Sequence, residues 1–194
     1  MLLLAFTPCL ANDYPIHTKI SSSFLMRQSH YYLSLNEKII LNWDDIEWGY
    51  RNNYLGWKDI LKYASAHNTI NDSDYELVKE LTQINKESAF LISTILDKLV
   101  KDKIDDEDIS GNVMFMLLYN LYIDRNKVID PLAEVEKIYE DFNYPEEIES
   151  FVRYMPPKDG YDPSLYSYEE NLIRLFENWK SYLISKGASE TSLS

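Results

Sequence analysis

The chain has 194 residues, of which 45% are hydrophobic, with only five glycines and seven prolines. That length suits a single domain with a real core, and the composition argues against a loop-rich or low-complexity chain. The net charge of −13 and sequence pI of about 4.6 describe a surface that repels phosphate backbones and anionic membranes, so neither nucleic acid nor membrane is an expected partner.

A basic protein partner fits this charge better, because long-range attraction would steer it in, although acidic charge also serves plain solubility. The single cysteine, Cys9, leaves no intrachain disulfide and no cysteine-based zinc cluster. His17, His30 and His67 lie far apart with no paired-ligand spacing. No metal and no cofactor are therefore expected.

The first eleven residues are apolar but too short to span a bilayer, and no Lys or Arg precedes the apolar stretch, which makes a poor export signal. Residues 12–25 carry no period. The expectation is a poorly ordered N-terminal extension over 1–25, with Met26 as a candidate start, a helical domain over 26–187 and a polar tail over 188–194.

From residue 42 onward the pattern predicts helices with short polar joints. Asn42 caps a helix over residues 43–51, with Asp44, Asp45 and Glu47 in its first turns, where the helix dipole favours acids. Ile60, Leu61 and Ala64 mark one face of a helix over 58–67. Ser73-Asp74-Tyr75-Glu76 has the form of a capping box, followed by an apolar face of Leu77, Val78, Leu81 and Ile84. Phe90, Leu91, Ile95, Leu96, Leu99 and Val100 mark the next helix. After an acidic joint at 105–108, residues 113–122 are apolar nearly all round. They predict the central buried helix rather than a buried strand, because Met and Leu favour helix. A short strand could lie within residues 31–41.

Asp130 and Pro131 have the order of an N-cap followed by a first-turn proline. Leu132, Val135, Ile138, Tyr139 and Phe142 then face one way. Pro145 starts a further helix with Ile148, Phe151, Val152 and Met155 inward. Residues 156–163 form the clearest loop. Ser167-Tyr168-Glu169-Glu170 is a second capping box, opening a last helix with Leu172, Ile173, Leu175, Phe176, Trp179 and Leu183 inward, and Gly187 stops it. The four tryptophans, Trp43, Trp48, Trp57 and Trp179, are read as core. Tyrosines at the joints, among them Tyr31, Tyr32, Tyr161, Tyr166 and Tyr168, are read as exposed.

Three constellations carry possible chemistry. Asp106-x-Asp108-x-Ser110-Gly111 is similar to the first half of a calcium loop, but the closing carboxylate position is Leu117 and Met114 replaces an oxygen ligand. An acidic joint whose Asp108 or Ser110 caps the next helix is the simpler reading. Asp44 and Asp45 are candidates for carboxylate acid/base work in a small hydrolase or transferase, against the simpler role of complementing the dipole. No phosphate loop, nucleophile elbow or zinc-protease motif occurs.

The third constellation is the acidic face of residues 130–149. It holds Asp130, Glu134, Glu136, Glu140, Asp141, Glu146, Glu147 and Glu149 against the single base Lys137, with Tyr139, Tyr144 and Tyr154 among them. Acids and tyrosines together suit recognition of Arg and Lys. The candidate partner-binding residues are Glu134, Glu136, Glu140, Asp141, Tyr144, Glu146 and Glu147; a solvated outer face is the plainer account.

The block Asp130-Pro131-Leu132-x-x-Val135-Glu136-x-Ile138-Tyr139-x-Asp141-Phe142-x-Tyr144-Pro145-Glu146-x-Ile148-x-x-Phe151-Val152-x-Tyr154-Met155-Pro156 resembles the signature of DUF2247, a bacterial family of unknown function. Asn42-Trp43-x-Asp45-Ile46-x-x-Gly49-Tyr50 and Trp179-x-x-Tyr182-Leu183 resemble it too, so that the likeness spans roughly residues 38–186. It carries no catalytic residues across. It implies a small cytoplasmic protein, with immunity proteins that neutralise secreted toxins of rival bacteria among its expected roles.

The resulting expectation is an all-α, single-domain bundle of about eight helices. Its expected function is non-enzymatic binding of a basic protein, such as a toxin domain. The alternatives are the small hydrolase or transferase and a structural or regulatory subunit that uses exposed tyrosines.

Overall fold

The computed structural model describes residues 41–67, 73–100 and 106–193. The expectations for residues 1–25, for Met26, for a strand within 31–40 and for Cys9 lie outside the described residues. Among the described residues the chain is all-α, with seven α-helices, five 3₁₀ segments and no strand. The helices are α1 (Trp43–Arg51), α2 (Trp57–Ala66), α3 (Tyr75–Thr82), α4 (Ile92–Leu99), α5 (Asp106–Ile123), α6 (Pro131–Asp141) and α7 (Tyr168–Ser185).

The central helix is α5. From Val113 to Tyr122 every residue is buried, as its all-round apolar sequence requires. It packs against α1, α6, α7 and the C-terminal 3₁₀ helix, while α2 pairs with α3, and α4 bridges α1 and α3. At the other end of the core Trp179 is fully buried. It stacks on Phe151 with centroids 5.9 Å apart and meets Tyr122 edge-on at 5.1 Å. This joins α7, α5 and the 3₁₀ helix Glu146–Phe151 around one indole. Trp43, Trp48 and Trp57 are half-buried rather than enclosed.

Helix starts follow the sequence closely where a side chain can cap. Asn42 accepts from the Asp45 amide at 2.9 Å, and Asp45 accepts in return from the Asn42 amide at 2.8 Å. Asp130 caps α6 through the Ala133 amide, with Pro131 in the first turn, and Ser167 with Glu170 forms the capping box of α7. The box expected at Ser73 does not form. Asp74 takes the cap position without a side-chain bond, and the Ser73 hydroxyl turns to the Asp74 carboxylate at 3.2 Å.

Helix ends share a device visible in sequence only at Gly187. Asn53 (φ 62°), Asn143 (φ 61°) and Gly187 (φ 105°) each sit two residues past a helix in the left-handed region. At each, the following amide reaches back across six residues: Tyr54 to the Gly49 carbonyl, Tyr144 to the Tyr139 carbonyl and Ala188 to the Leu183 carbonyl. The left-handed residue's own amide closes the inner ring, so all three are Schellman ends. Asparagine substitutes for glycine there because its short polar side chain tolerates this conformation.

Four further expectations are corrected. The acidic joint at 105–108 is not a cap, since α5 begins at Asp106 and carries Asp108, Ser110 and Gly111 within the helix; alternate loop oxygens cannot converge on an ion from a continuous helix. The helix after Pro145 is a six-residue 3₁₀ helix, Glu146–Phe151, that still buries Ile148, Phe151 and Val152. Phe90 and Ile173 are 76% and 57% exposed, because the first falls in the 3₁₀ turn Ala89–Leu91 and the second on the outer side of α7. The polar tail after Gly187 folds back as the 3₁₀ helix Glu190–Leu193 and buries Ala188 and Leu193.

Candidate functional site

The acidic face is built by α6 and the 3₁₀ helix that follows it, and the fold brings in the bases that the local sequence lacks. Arg153 forks onto Glu136, with Nε–Oε1 2.8 Å and Nη2–Oε2 3.0 Å, and its third nitrogen reaches Asp130 at 2.8 Å. Lys158 bridges Glu146 at 2.6 Å and Glu149 at 2.7 Å. Lys186 holds Glu147 at 2.6 Å, with the Tyr182 hydroxyl donating to the same carboxylate at 3.2 Å. Lys137 holds Glu134 at 2.6 Å. Six of the eight carboxylates are thus ion-paired within the chain. Hydrogen bonding by Lys158 lowers the Glu149 pKa below its ordinary value, and Glu146 and Glu149 raise that of Lys158.

The other two, Glu140 and Asp141, stand at the C-terminal end of α6. Glu140 is exposed and has no ion-pair partner among the described residues. Beside it Tyr144 and Tyr154 are 57% and 53% exposed. Both flank the buried ring of Tyr139, at centroid distances of 5.2 Å (edge-on) and 6.2 Å (tilted). Desolvation, reinforced by the negative charge of Glu140, raises the Tyr154 phenol above its ordinary pKa, so the ring stays a neutral donor.

Tyr144 itself stands at φ 61°, directly after left-handed Asn143. Two consecutive non-glycine residues in this region carry a conformational cost. The Schellman bond from the Tyr144 amide and the following Pro145 hold the arrangement in place.

On the other side of the same turn lies a groove of about 490 Å³, lined by Trp48, Ser110, Gly111, Met114, Asp141, Phe142, Asn143, Pro145 and Glu147. Trp48 and Phe142 form its aromatic wall, with Tyr54 packed against both. Trp48 stacks on Tyr54 at 5.6 Å, and both rings tilt against Phe142, at 5.7 and 5.2 Å. Burial, with the charge of Asp141 adding to it, pushes the Tyr54 phenol up to about 12. Asp141 and Glu147, singled out from sequence, do meet at one groove. Trp48 and Phe142 complete it, and no local pattern placed them there because Trp48 is remote in the chain.

A smaller cavity of about 230 Å³ lies beneath the 156–163 loop. Arg153, Lys158 and Arg174 line it with Glu149 and Asp159, and each base is already paired with a carboxylate.

The catalytic candidates fare differently. Asp45 is fully buried, holds the N-cap of α1 and accepts from the Asn112 amide group at 3.1 Å. Desolvation raises its pKa, but its oxygens are occupied by structural bonds and it lines neither cavity. The described residues hold no cluster of three metal-ligating side chains. Among them, no helix is long and apolar enough to cross a membrane.

The profile of a bacterial family, described as an uncharacterized protein conserved in bacteria (DUF2247), matches residues 32–187. The chain belongs to the DUF2247 family. The match covers every α-helix described above, including α6, the turn at Asn143 and the groove. No curated protein and no solved structure matches the chain.

Proposed function

We propose that this member of the DUF2247 family is a non-enzymatic binding protein that docks a basic protein partner on the corner formed by the end of α6 and the turn into residues 146–151. The observation that carries the reading is the pairing of two exposed tyrosines, Tyr144 and Tyr154, with Glu140, which has no ion-pair partner among the described residues. Exposed aromatic rings beside an uncompensated carboxylate suit arginine and lysine, through ring-face and ion-pair contact together. The conformational cost at Tyr144 is of the kind found where a side chain is held for contact. The net charge of −13 adds long-range attraction.

The internal ion pairs narrow the surface. Glu134 and Glu136 are committed to Lys137 and Arg153, so the contact centres on Glu140 and Tyr144, with Asp141, Glu146 and Glu147 at its rim. An immunity protein that masks a basic toxin domain is the partner class we favour, its carboxylates occupying the surface that phosphates would otherwise use. Such a role belongs in the cytoplasm.

The test is capture of the partner from the native lysate at low salt, followed by calorimetry with the purified partner. A roughly tenfold or greater loss of affinity in Tyr144→Ala and in Glu140→Lys, with affinity falling as salt rises, supports the assignment. Unchanged affinity in both variants overturns it.

A further inference from the structure

Four of the ten large apolar side chains that stand exposed among the described residues fall within residues 165–173. Leu165, Tyr166, Tyr168 and Ile173 are each about half to three-quarters exposed. Residues 162–170 form an unbroken exposed run that carries the chain from the loop into α7. Apolar side chains exposed one at a time need no account, but a group of them marks a contact surface.

The run is exposed but not loose. Tyr166 stacks on Tyr161 with centroids 4.6 Å apart, and the Arg174 guanidinium lies 4.1 Å from the Tyr161 ring centre. Asp159 holds Arg174 at 2.5 Å, and the Tyr161 hydroxyl donates to Asn171 Oδ1 at 2.9 Å. The Asn171 amide group donates in turn to the Pro163 and Ser167 carbonyls, each at 3.0 Å. Polar bonds thus fix a segment that burial does not, and a surface already ordered loses less freedom on contact.

Charge decides what can cover it. Glu169 and Glu177 flank Ile173 four residues before and after it, one turn away on the same side of α7. Neither carboxylate has a partner among the described residues. Within residues 162–177, Asp162, Glu169, Glu170 and Glu177 stand against a single base, Arg174, which Asp159 already holds. A second copy of this chain would set these acids against their own kind, and a phosphate-bearing surface would be repelled. A protein segment that carries lysine or arginine beside apolar residues matches both features.

We propose that residues 162–177 are a docking surface for a basic, amphipathic segment of a partner protein. Its apolar side chains lie against Leu165, Tyr166, Tyr168 and Ile173, and its cations meet Glu169 and Glu177. The surface shares no residue with the corner at the end of α6, so it stands or falls separately from that reading.

The experiment titrates the full chain with an amphipathic lysine–leucine peptide and separately with its glutamate–leucine counterpart, which keeps the apolar face and reverses the charge. Backbone amides are followed by NMR. The lysine peptide is expected to give saturable shifts with a Kd below about 1 mM, centred on residues 164–177. The glutamate peptide is expected to bind at least about tenfold more weakly. Leu165→Ala combined with Tyr168→Ala, at positions too exposed to disturb the fold, is expected to weaken the lysine peptide by about tenfold. Phe90→Ala, an exposed ring elsewhere on the chain, is expected to leave it unchanged.

Equal binding of the two peptides, no saturable binding of the lysine peptide, or full affinity in the Leu165→Ala, Tyr168→Ala protein overturns the proposal. Shifts centred on residues 140–154 overturn it while favouring the corner at α6, so the failure of one reading is told apart from the failure of the other. The peptide comparison uses the unaltered protein and does not depend on how any variant folds.

Discussion

Replacing Leu193 with alanine tests whether the C-terminal segment is part of the core. Leu193 is 1% exposed and belongs to a 3₁₀ helix that packs on α5. Truncating a buried leucine typically costs about 2–5 kcal/mol, the higher values arising where the surroundings cannot close on the cavity. A site near the chain end can relax, which places the expected loss at about 2–3 kcal/mol. At about 2–4 °C per kcal/mol for a chain of this size, the thermal midpoint should fall by roughly 5–10 °C. With a urea slope of about 2–3 kcal/mol per molar, the midpoint should fall by about 1 M. Urea unfolding followed by tryptophan fluorescence reads this directly, since Trp179 lies in the same core. Leu165→Ala is the matched control: the same chemistry at a residue 75% exposed, expected to change stability by no more than about 0.5 kcal/mol. Equal, small effects from the two substitutions would refute the seating of the tail and restore the polar tail that the sequence suggests.

Three further outcomes follow from the geometry. Gly49→Ala should destabilise by about 1–3 kcal/mol, because its Cβ would sit 2.9 Å from the Leu55 Cδ1 and 3.1 Å from its Cγ; Gly111→Ala, in open space on α5, should instead stabilise by up to about 1 kcal/mol. Thermal melts of the pair check the reversal of sign. Asn143→Ala should cost about 1–2 kcal/mol in the same assay, since alanine resists the left-handed conformation that closes α6, whereas Asn143→Gly should be neutral or better. Asp45 has a folded pKa raised above its ordinary 3.8 by burial. The folded state therefore binds its proton more tightly, and the stability this contributes is full below 3.8 and is lost as pH rises through the folded pKa. The stability of the native chain relative to Asp45→Asn should thus decline with rising pH above about 3.8, and urea titrations of both proteins from pH 3 upward would show the opposite slope if Asp45 were instead stabilised as the anion.

For function, the fold changes the weight of the acidic face. Counted along the chain it offers eight carboxylates against one lysine. In three dimensions Arg153, Lys158 and Lys186 come from the following segment and from α7 to neutralise much of it. Exposed pairs of this kind contribute little stability individually, at most about 1 kcal/mol each, but they decide which acids remain open to another molecule. Among the described residues Glu140 is left open in this way, at the end of α6, where Tyr144 and Tyr154 are also presented.

By itself the sequence determined the helices, because helix formation is written in local terms. An apolar stripe repeating at helical spacing, a capping side chain at Asn42, Asp130 or Ser167 and a stop at Gly187 each act within a few residues of where they stand. The all-round apolar run at 113–122 even named the central helix, and the block from Asp130 to Pro156 was enough to suggest the family. What spans the chain was left to the tertiary structure: which acids find a base, that Trp48 and Phe142 share a wall with Asp141 and Glu147, and that Leu193 returns to the core. Those facts depend on where distant segments meet. Side-chain packing and charge pairing at long sequence separation leave no periodic trace in the chain, so only the folded structure, in which the segments are already brought together, could decide them.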